Sequence, residues 1–159
     1  MSAVAVEAGI SKPILYRHFG DKDGLTHALA ERHTARLWDL LNQALRTART
    51  PRERVLATVD TYLSAIEQAP GLYRFLTRDL TAGHVRGFTE ALSAHVALGI
   101  ATELGVSAGV RERAWATGMV GMVQASGDRW MLLQDCPRAR LAEHLTALLW
   151  GAYGDAPRR

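Results

Sequence analysis

The sequence predicts an all-helical protein. Its composition is rich in Ala, Leu and Arg, which favour helices, and it contains few runs of β-branched residues. Apolar residues recur at helical spacing in successive segments, and Gly or Pro separates these segments. With 159 residues the chain is long enough to bury a sizeable core. Together these observations predict a succession of helices joined by short turns.

Near the N-terminus, the segment GISKPILYRHFG carries the signals of a sharp turn followed by a short helix. A first helix over residues 3–8 is expected to end at Gly9, because glycine takes the left-handed conformation without a Cβ penalty. We expect the Ser11 hydroxyl to cap the next helix, and Pro13 is tolerated in its first turn. The second helix is therefore predicted over residues 12–19.

A third helix is predicted to begin after Gly20, with Asp21 as its N-terminal cap. Helix, tight turn and helix is the helix-turn-helix plan, in which the second helix enters the major groove of DNA. Its outward face carries side chains that can reach phosphates, base edges or a thymine methyl. The residues that we expect to contact DNA on this basis are Lys12, Pro13, Ile14, Tyr16, Arg17, His18 and, at the start of the third helix, Lys22. The alternative is an ordinary corner between two helices whose basic residues are only solvated.

The longer string GISKPILYRHFGDKDGL closely resembles the signature of TetR-family transcriptional regulators. In that family a Gly-Val/Ile-Ser turn leads to a recognition helix with a Leu-Tyr-x-His-Phe core, and a lysine stands at the start of the following helix. The resemblance implies a helix-turn-helix DNA-binding region followed by a helical ligand-binding and dimerisation domain. It also implies DNA contacts from Ser11, Lys12, Tyr16, Arg17 and His18, and a phosphate contact from Lys22.

The chain departs from this pattern at its start. Family members normally carry a further helix before this point, whereas Met1 lies only eight residues before Gly9. Our hypothesis from the sequence is that Met1 is a misassigned start or an internal methionine. Without a further helix, we expect four side chains to lose an apolar neighbour, at about 1 kcal/mol or more each. These are Leu15, Phe19, Leu25 and Leu29.

The rest of the sequence predicts a helical body. Residues 1–46 are assigned to a partial helix-turn-helix region that leads into a long connecting helix, and residues 47–159 to an effector-binding and dimerisation domain. The connecting helix is expected to reach about Thr47, and Thr50 is placed to cap the helix that follows. Further helices are predicted over residues 72–79, 84–103, 110–134 and 138–153.

Charge is distributed unevenly along the chain, whose formal net charge is +3. Residues 1–54 contain nine Lys and Arg against six Asp and Glu, and residues 55–159 contain ten of each, so the first third carries all of the excess. This asymmetry matches a nucleic-acid-facing end on a neutral body.

The body also contains residues suited to an apolar effector pocket, which the resemblance implies. A pocket of this kind is mostly apolar and has a few polar groups. The candidates to line it are Tyr62, Ile66, Tyr73, Phe88, His95, Trp115, Met119, Met122 and Trp130, although each of them is equally suited to plain core packing. Gln124 is a second polar candidate beside His95.

The last two predicted helices suggest a homodimer interface. Small residues recur along one stripe of the helix over residues 110–134, and two glycines there suggest the close approach of another helix. The candidate interface residues are Gly118, Gly121, Ala125, Leu141, Leu145 and Leu148. The alternative is that this stripe packs inside one subunit. The resemblance favours the dimer, because in that family the final two helices form a four-helix interface across a twofold axis.

No pattern in the sequence indicates an enzyme, a cofactor or a metal site. The six histidines are scattered, and we find neither a nucleophile with its base nor a set of residues with metal-ligand spacing. No run of eighteen apolar residues and no signal peptide is present, so we expect a cytoplasmic protein without a membrane partner. The lone Cys136 cannot form a disulfide within the chain.

The resemblance therefore implies a homodimeric repressor that binds a pseudo-palindromic operator and releases it when a small hydrophobic effector binds. The alternative is a dimeric small-molecule-binding module that does not bind DNA because its first helix is missing. The two differ in whether the protein prefers its operator over unrelated DNA.

Overall fold

The computed structural model describes residues 1–79 and 83–154, and it describes the backbone alone at residues 76–79, 83–88 and 152–154. Over the described residues the chain is helical and contains no strand, so the predicted fold class is confirmed. The helices are α1 (Ser2–Glu7), α2 (Lys12–Phe19), α3 (Lys22–Thr47), α4 (Pro51–Gln68), α5 (Pro70–Asp79), α6 (Gly83–Leu104), α7 (Val110–Leu133) and α8 (Arg138–Gly154). Their ends differ from the predicted ones by only one or two residues.

Side-chain caps define the starts of two helices. Asp21 caps α3, because its Oδ1 accepts a hydrogen bond from the Gly24 backbone N–H at 2.8 Å. Thr50 and Glu53 form a reciprocal capping box at the start of α4, with both hydrogen bonds at 3.2 Å. Both caps were expected at these positions, although the role of Glu53 was not.

The predicted cap at Ser11 is wrong. Ser11 occupies the N-cap position of α2 with an extended backbone, but its hydroxyl makes no capping hydrogen bond. A capping hydroxyl normally accepts from the second or third N–H of the helix, and the second residue of α2 is Pro13, which has none. The turn therefore depends on its backbone, including the positive φ of +65° at Gly9.

The N-terminal helices pack in sequence, α1 against α2 and α2 against α3. Ala5 and Leu15 are each 2% exposed. The expectation that Leu15 is partly exposed to solvent because it lacks an apolar neighbour is therefore wrong. Leu29 is 37% exposed, as expected for a side chain without a full apolar surround. Phe19 and Leu25 are half-buried.

The helix α4 is the centre of the body and packs against α3, α7 and α8, while α6 packs against α7. The largest buried cluster joins α4, α7 and α8 through Val59, Leu63, Ile66, Trp130, Ala142, Leu145 and Leu149. Gly127 permits the close approach of α7 to α4. A Cβ there would lie 3.1 Å from both Ile66 Cδ1 and Tyr62 Cε1.

Candidate functional site

The outward side of α2 forms an exposed polar surface. We call it the α2 surface and define it as Ser11, Lys12, Pro13, Ile14, Tyr16, Arg17, His18 and, at the start of α3, Lys22, all of which are exposed. Ile14 and Tyr16 are 38% and 48% exposed, whereas Leu15 between them is buried. The helix ends at Gly20, which has a φ of +73°. The periodicity of the sequence therefore placed the buried and exposed sides of this short helix correctly.

The long helix α3 connects the α2 surface to the body. It has 26 residues, which gives it a length of roughly 39 Å at 1.5 Å per residue. Lys22 stands at its first position, next to α2. Further along, Leu37 and Leu41 are buried in a cluster with Leu92 of α6, and Trp38 packs against the same cluster.

A cavity of about 980 Å³ lies among α3, α4, α6 and α7. Its lining is mostly apolar, and the α3 residues Leu37, Trp38 and Leu41 form one wall. Trp150 of α8 also lines it. This volume is at the upper end of the range for small-molecule sites, which are concave and mainly apolar.

The hydroxyl groups of two tyrosines form a polar site in the cavity lining. The hydroxyl oxygens of Tyr62 and Tyr73 lie 3.0 Å apart, and the Tyr73 hydroxyl donates to Asp128 Oδ1 at 2.5 Å. Both tyrosines line the cavity. Burial raises the pKa of Tyr62 to about 12. Burial, the neighbouring Tyr62 and the hydrogen bond to Asp128 also raise the pKa of Tyr73, so both phenols are neutral at ordinary pH.

Polar contacts also occur at other parts of the cavity lining. The Arg54 guanidinium on α4 forms an ion pair with the Glu103 carboxylate on α6, and both side chains line the cavity. Trp38 and His95 meet nearly edge-on across α3 and α6, with ring centroids 5.7 Å apart. Burial, assisted by the charge of Arg36, lowers the pKa of His33, which favours its neutral form.

The small-residue stripe of α7 is exposed in the protomer. Ala114, Gly118, Gly121 and Ala125 all face solvent, and a Cβ added at either glycine would meet nothing within 4 Å. Apolar side chains at the end of α7 and on α8 are also exposed. They are Leu132 at 81%, Leu133 at 52% and Leu148 at 59%. Within the described residues, this stripe does not pack inside one subunit.

Two family models cover most of the sequence. Residues 1–29 match the model described as bacterial regulatory proteins of the tetR family, and residues 40–159 match the model of the tetracyclin repressor-like C-terminal domain. The chain belongs to the TetR family. It is a DNA-binding transcriptional regulator of the helix-turn-helix type, and the boundary between the two matches falls within α3.

Relatives of this TetR-family chain support the assignment. The chain is 32% identical to the HTH-type transcriptional activator FasR of Mycolicibacterium smegmatis over 99% of its own length and 74% of that protein. It is 29% identical to an uncharacterized HTH-type transcriptional regulator of Mycobacterium tuberculosis over 96% of its length and 68% of that protein.

Solved structures of TetR-like proteins share the fold. A TetR-like regulator from Rhodococcus sp. RHA1 superposes with a TM-score of 0.76 at 23% identity, over 97% of this chain and 84% of that one. A tetR-family regulator from Streptomyces coelicolor gives a TM-score of 0.72 at 20% identity, over 97% of this chain and 72% of that one.

The cavity of this TetR-family protein includes only part of the predicted pocket. Five predicted residues line it, and they are Tyr62, Ile66, Tyr73, His95 and Met119, together with the additional candidate Gln124. The prediction at Phe88 lies outside the described side chains. Three further predicted residues, Trp115, Met122 and Trp130, are not among the residues that line it.

Each of these three residues packs elsewhere. Trp130 is 4% exposed and donates its indole N–H to the Cys136 carbonyl at 2.8 Å, which ties the end of α7 to the turn before α8. Met122 packs against the α4, α7 and α8 core. Trp115 packs against a separate cluster of α6 and α7, and the Arg111 guanidinium lies 5.2 Å from its ring centroid.

Sequence reasoning missed the contribution of α3 to the cavity. The sequence predicted α3 only as the connection to the body, whereas its residues Leu37 and Leu41 line the cavity. The aromatic Trp38 next to them was the available signal, because a large ring beside an apolar stripe widens the face that a helix can bury.

One predicted interface residue also has another role. Leu145 is 6% exposed and belongs to the core of its own protomer, so it offers a partner almost no surface. Leu141 is half-buried and packs against the same core. Gly118, Gly121, Ala125 and Leu148 remain exposed.

Neither a membrane span nor a metal cluster occurs in the part of the chain that the structure describes. Within it, no helix combines the length and apolar character needed to cross a bilayer. The described His, Cys, Asp and Glu side chains also form no group of three that could hold a metal ion.

Proposed function

We propose that the protein is a homodimeric repressor that binds a pseudo-palindromic operator through the α2 surface and releases it when a hydrophobic small molecule fills the cavity. The observation that carries this proposal is the continuity of α3. This single helix begins at the α2 surface with Lys22 and supplies Leu37, Trp38 and Leu41 to the cavity wall. A ligand that moves α3 therefore moves the DNA-binding residues attached to it.

The chemistry of the α2 surface supports operator binding. Lys12 and Arg17 can contact phosphates or the O6 and N7 atoms of guanine, and the exposed Ile14 can meet a thymine methyl. Lys22 supplies a positive charge at the N-terminus of α3, which is also the positive end of the helix dipole. Operator binding would place the site of action in the bacterial cytoplasm, where the chromosome lies.

The cavity supports regulation by an apolar effector. Its volume of about 980 Å³ accommodates a drug-sized molecule. To act as a switch, the effector must prefer the released arrangement, and a coupling free energy of about 1–3 kcal/mol is typical. The contact of Trp38 with His95 couples α3 to α6 at the cavity wall, so an effector placed there acts on both helices.

The exposed stripe on α7, together with Leu148 on α8, supports a homodimer. Gly118 and Gly121 leave room for a partner helix to approach closely, and an isologous pairing would bring the same stripe from a second copy. A dimer supplies two α2 helices, which suits two half-sites about 34 Å apart on one face of DNA.

A second candidate is an activator. The relative from Mycolicibacterium smegmatis is named a transcriptional activator, and the same surface and cavity serve either direction of control. Repression and activation differ in where the operator lies relative to the promoter.

Binding to the DNA that flanks the protein's own gene tests the proposal. Fluorescence anisotropy across a salt series, with unrelated DNA of equal length as control, should show saturable binding that prefers the flanking DNA. Equal affinity for both DNAs would contradict operator binding and favour the small-molecule-binding module. A promoter fused to a reporter then separates repressor from activator by the sign of the change in expression.

Effector binding is tested separately with a hydrophobic dye. N-phenylnaphthylamine is small enough for the cavity and fluoresces in apolar surroundings. We expect saturable binding of one dye per protomer. Absence of saturable binding would contradict an effector function for the cavity.

A further inference from the structure

Two of the threonine hydroxyls that line the cavity have already donated their protons. Thr58 Oγ1 donates to the Arg54 carbonyl and Thr102 Oγ1 donates to the Leu98 carbonyl, both at 2.8 Å. Both threonines line the cavity. A hydroxyl has one proton and two lone pairs, so each of these oxygens can now offer a ligand only an acceptor.

The two tyrosines follow the same rule. The single hydroxyl proton of Tyr73 is donated to Asp128 Oδ1 at 2.5 Å, because a carboxylate can only accept. The Tyr73 hydroxyl therefore has no proton left for Tyr62. In the 3.0 Å contact between their oxygens, Tyr62 must be the donor. The carboxylate of Asp128 thus sets the direction of the whole chain of hydrogen bonds.

We propose that the part of this cavity at the Tyr62 hydroxyl selects hydrophobic ligands that carry a hydrogen-bond donor, a hydroxyl or an amine, over ligands of the same size that carry only acceptors. A donor can bond to the remaining lone pair of the Tyr62 oxygen. An acceptor placed there would meet that lone pair and lose its hydrogen bond to water without replacement. The proposal rests on the proposed function, since it takes the cavity to be the effector site.

The charged lining residues agree with this preference. Glu31 and Glu103 add two carboxylates, which are acceptors, to the cavity lining. The guanidinium of Arg54, which would attract an acidic ligand, is already paired with Glu103. An acidic ligand would have to share the guanidinium with that carboxylate, whereas an alcohol or an amine would not.

The high pKa of Tyr62, about 12, keeps its phenol protonated. The direction of the hydrogen-bond chain therefore does not change with pH across the physiological range. The selectivity is a fixed property of the folded protein.

Two isomers provide a matched pair of probes. The molecules n-decanol and n-nonyl methyl ether have the same atoms and nearly the same apolar surface, but only the alcohol can donate. Each is titrated against N-phenylnaphthylamine bound to the full chain, and its displacement constant is measured. We expect the alcohol to displace the dye at about fivefold lower concentration or better, the effect of one neutral hydrogen bond.

Removal of the Asp128 carboxylate tests the cause. In Asp128→Ala, Tyr73 loses its acceptor, so its proton becomes available to Tyr62 or to a ligand, and the alcohol-to-ether preference should fall to about twofold or less. Tyr62→Phe should reduce the preference similarly. The matched control is Asp135→Ala, which removes another exposed carboxylate, one that faces Arg129 and not the cavity, and should retain the full preference.

The outcomes separate the two proposals. Dye binding with equal displacement by alcohol and ether would overturn the donor selectivity and leave the effector site in place. A preference for the alcohol that survives unchanged in Asp128→Ala and Tyr62→Phe would also overturn it. No saturable dye binding would contradict the effector site itself.

Discussion

Trp38 of α3 meets His95 of α6 nearly edge-on, with ring centroids 5.7 Å apart and an angle of 73° between the ring planes. Both rings line the cavity. The helix that begins at the α2 surface therefore forms part of the cavity wall through a large aromatic side chain. A molecule bound at this part of the cavity would contact the pair directly.

The first prediction concerns Trp38. Trp38→Leu should weaken N-phenylnaphthylamine binding by about tenfold, because an aromatic contact surface is lost from the wall, and a tenfold loss corresponds to about 1.4 kcal/mol. The matched control is Trp115→Leu, which replaces a tryptophan outside the lining and should leave the dye affinity within about twofold. Equal losses in both variants would point to a general loss of packing.

The second prediction concerns the phosphate contact of Lys22. Lys22→Ala should weaken binding to operator and to unrelated DNA alike, and should reduce the slope of log K against log salt by about one. Lys12→Ala should weaken binding and relax the preference for operator. Arg52→Ala, which removes an exposed charge on α4, is the control and should keep the wild-type slope. An unchanged slope in Lys22→Ala would show that this lysine does not contact a phosphate.

The third prediction separates the exposed stripe of α7 from its buried glycine. Gly121→Arg fits the protomer, since a Cβ there meets nothing within 4 Å, so it should give a folded monomer by light scattering. Gly127→Leu should instead lower the free energy of unfolding by about 1 kcal/mol or more, because even its Cβ would lie 3.1 Å from Ile66 and Tyr62 and the rest of the side chain would overpack this contact. A dimeric Gly121→Arg protein would place the interface elsewhere.

The fourth prediction is a pH dependence caused by Tyr62. Its pKa is about 12 in the folded protein, against about 10 in an unfolded chain, so the unfolded state loses its proton first as the pH rises. The contribution of Tyr62 to stability is fully present below pH 10 and is lost between about pH 10 and pH 12. Urea unfolding across this range should therefore show a weaker pH dependence in Tyr62→Phe than in wild type. In an absorbance titration of the phenolate band, Tyr62→Phe should show one group fewer near pH 12 than wild type. Identical pH profiles for the two proteins would contradict the raised pKa.

The fifth prediction compares two cap positions. Thr50→Ala should lower the free energy of unfolding by about 1 kcal/mol, because it removes the hydrogen bond to the Glu53 N–H. Ser11→Ala should change it by less than about 0.5 kcal/mol, since the Ser11 hydroxyl caps nothing. Chemical denaturation of both variants measures the difference. A larger loss in Ser11→Ala than in Thr50→Ala would contradict the observed cap geometry.

The sequence by itself determined the local structure of the N-terminal region. The effects of Gly9 after α1, of Gly20 after α2 and of the Asp21 carboxylate each extend over only a few residues. The periodicity around Leu15 is equally local, so all of them can be predicted without knowing which elements pack together. The bounds of α2 and the exposed character of its outer face follow from such local signals. The prediction of a cap at Ser11 was wrong because Pro13, the second residue of α2, has no N–H to donate to the Ser11 hydroxyl.

Only the tertiary structure decided which apolar residues enclose the cavity. Trp38, Trp115 and Trp130 all lie on amphipathic helices, and nothing local separates them. Trp38 lines the cavity, Trp115 packs at the α6 and α7 contact, and Trp130 is buried in the core with its indole bonded to the Cys136 carbonyl. The position of each tryptophan depends on how helices far apart in the sequence are rotated against one another.

The two kinds of glycine in α7 illustrate the same division. The spacing of Gly118 and Gly121 predicted the close approach of another helix, but both are exposed in the protomer, and the close contact within it occurs at Gly127, against Ile66 and Tyr62 of α4. Helical periodicity determines which residues share a face, and the sequence supplies it. Which helix covers each face depends on the packing of the whole chain, because a helix face is buried only when a second element packs against it.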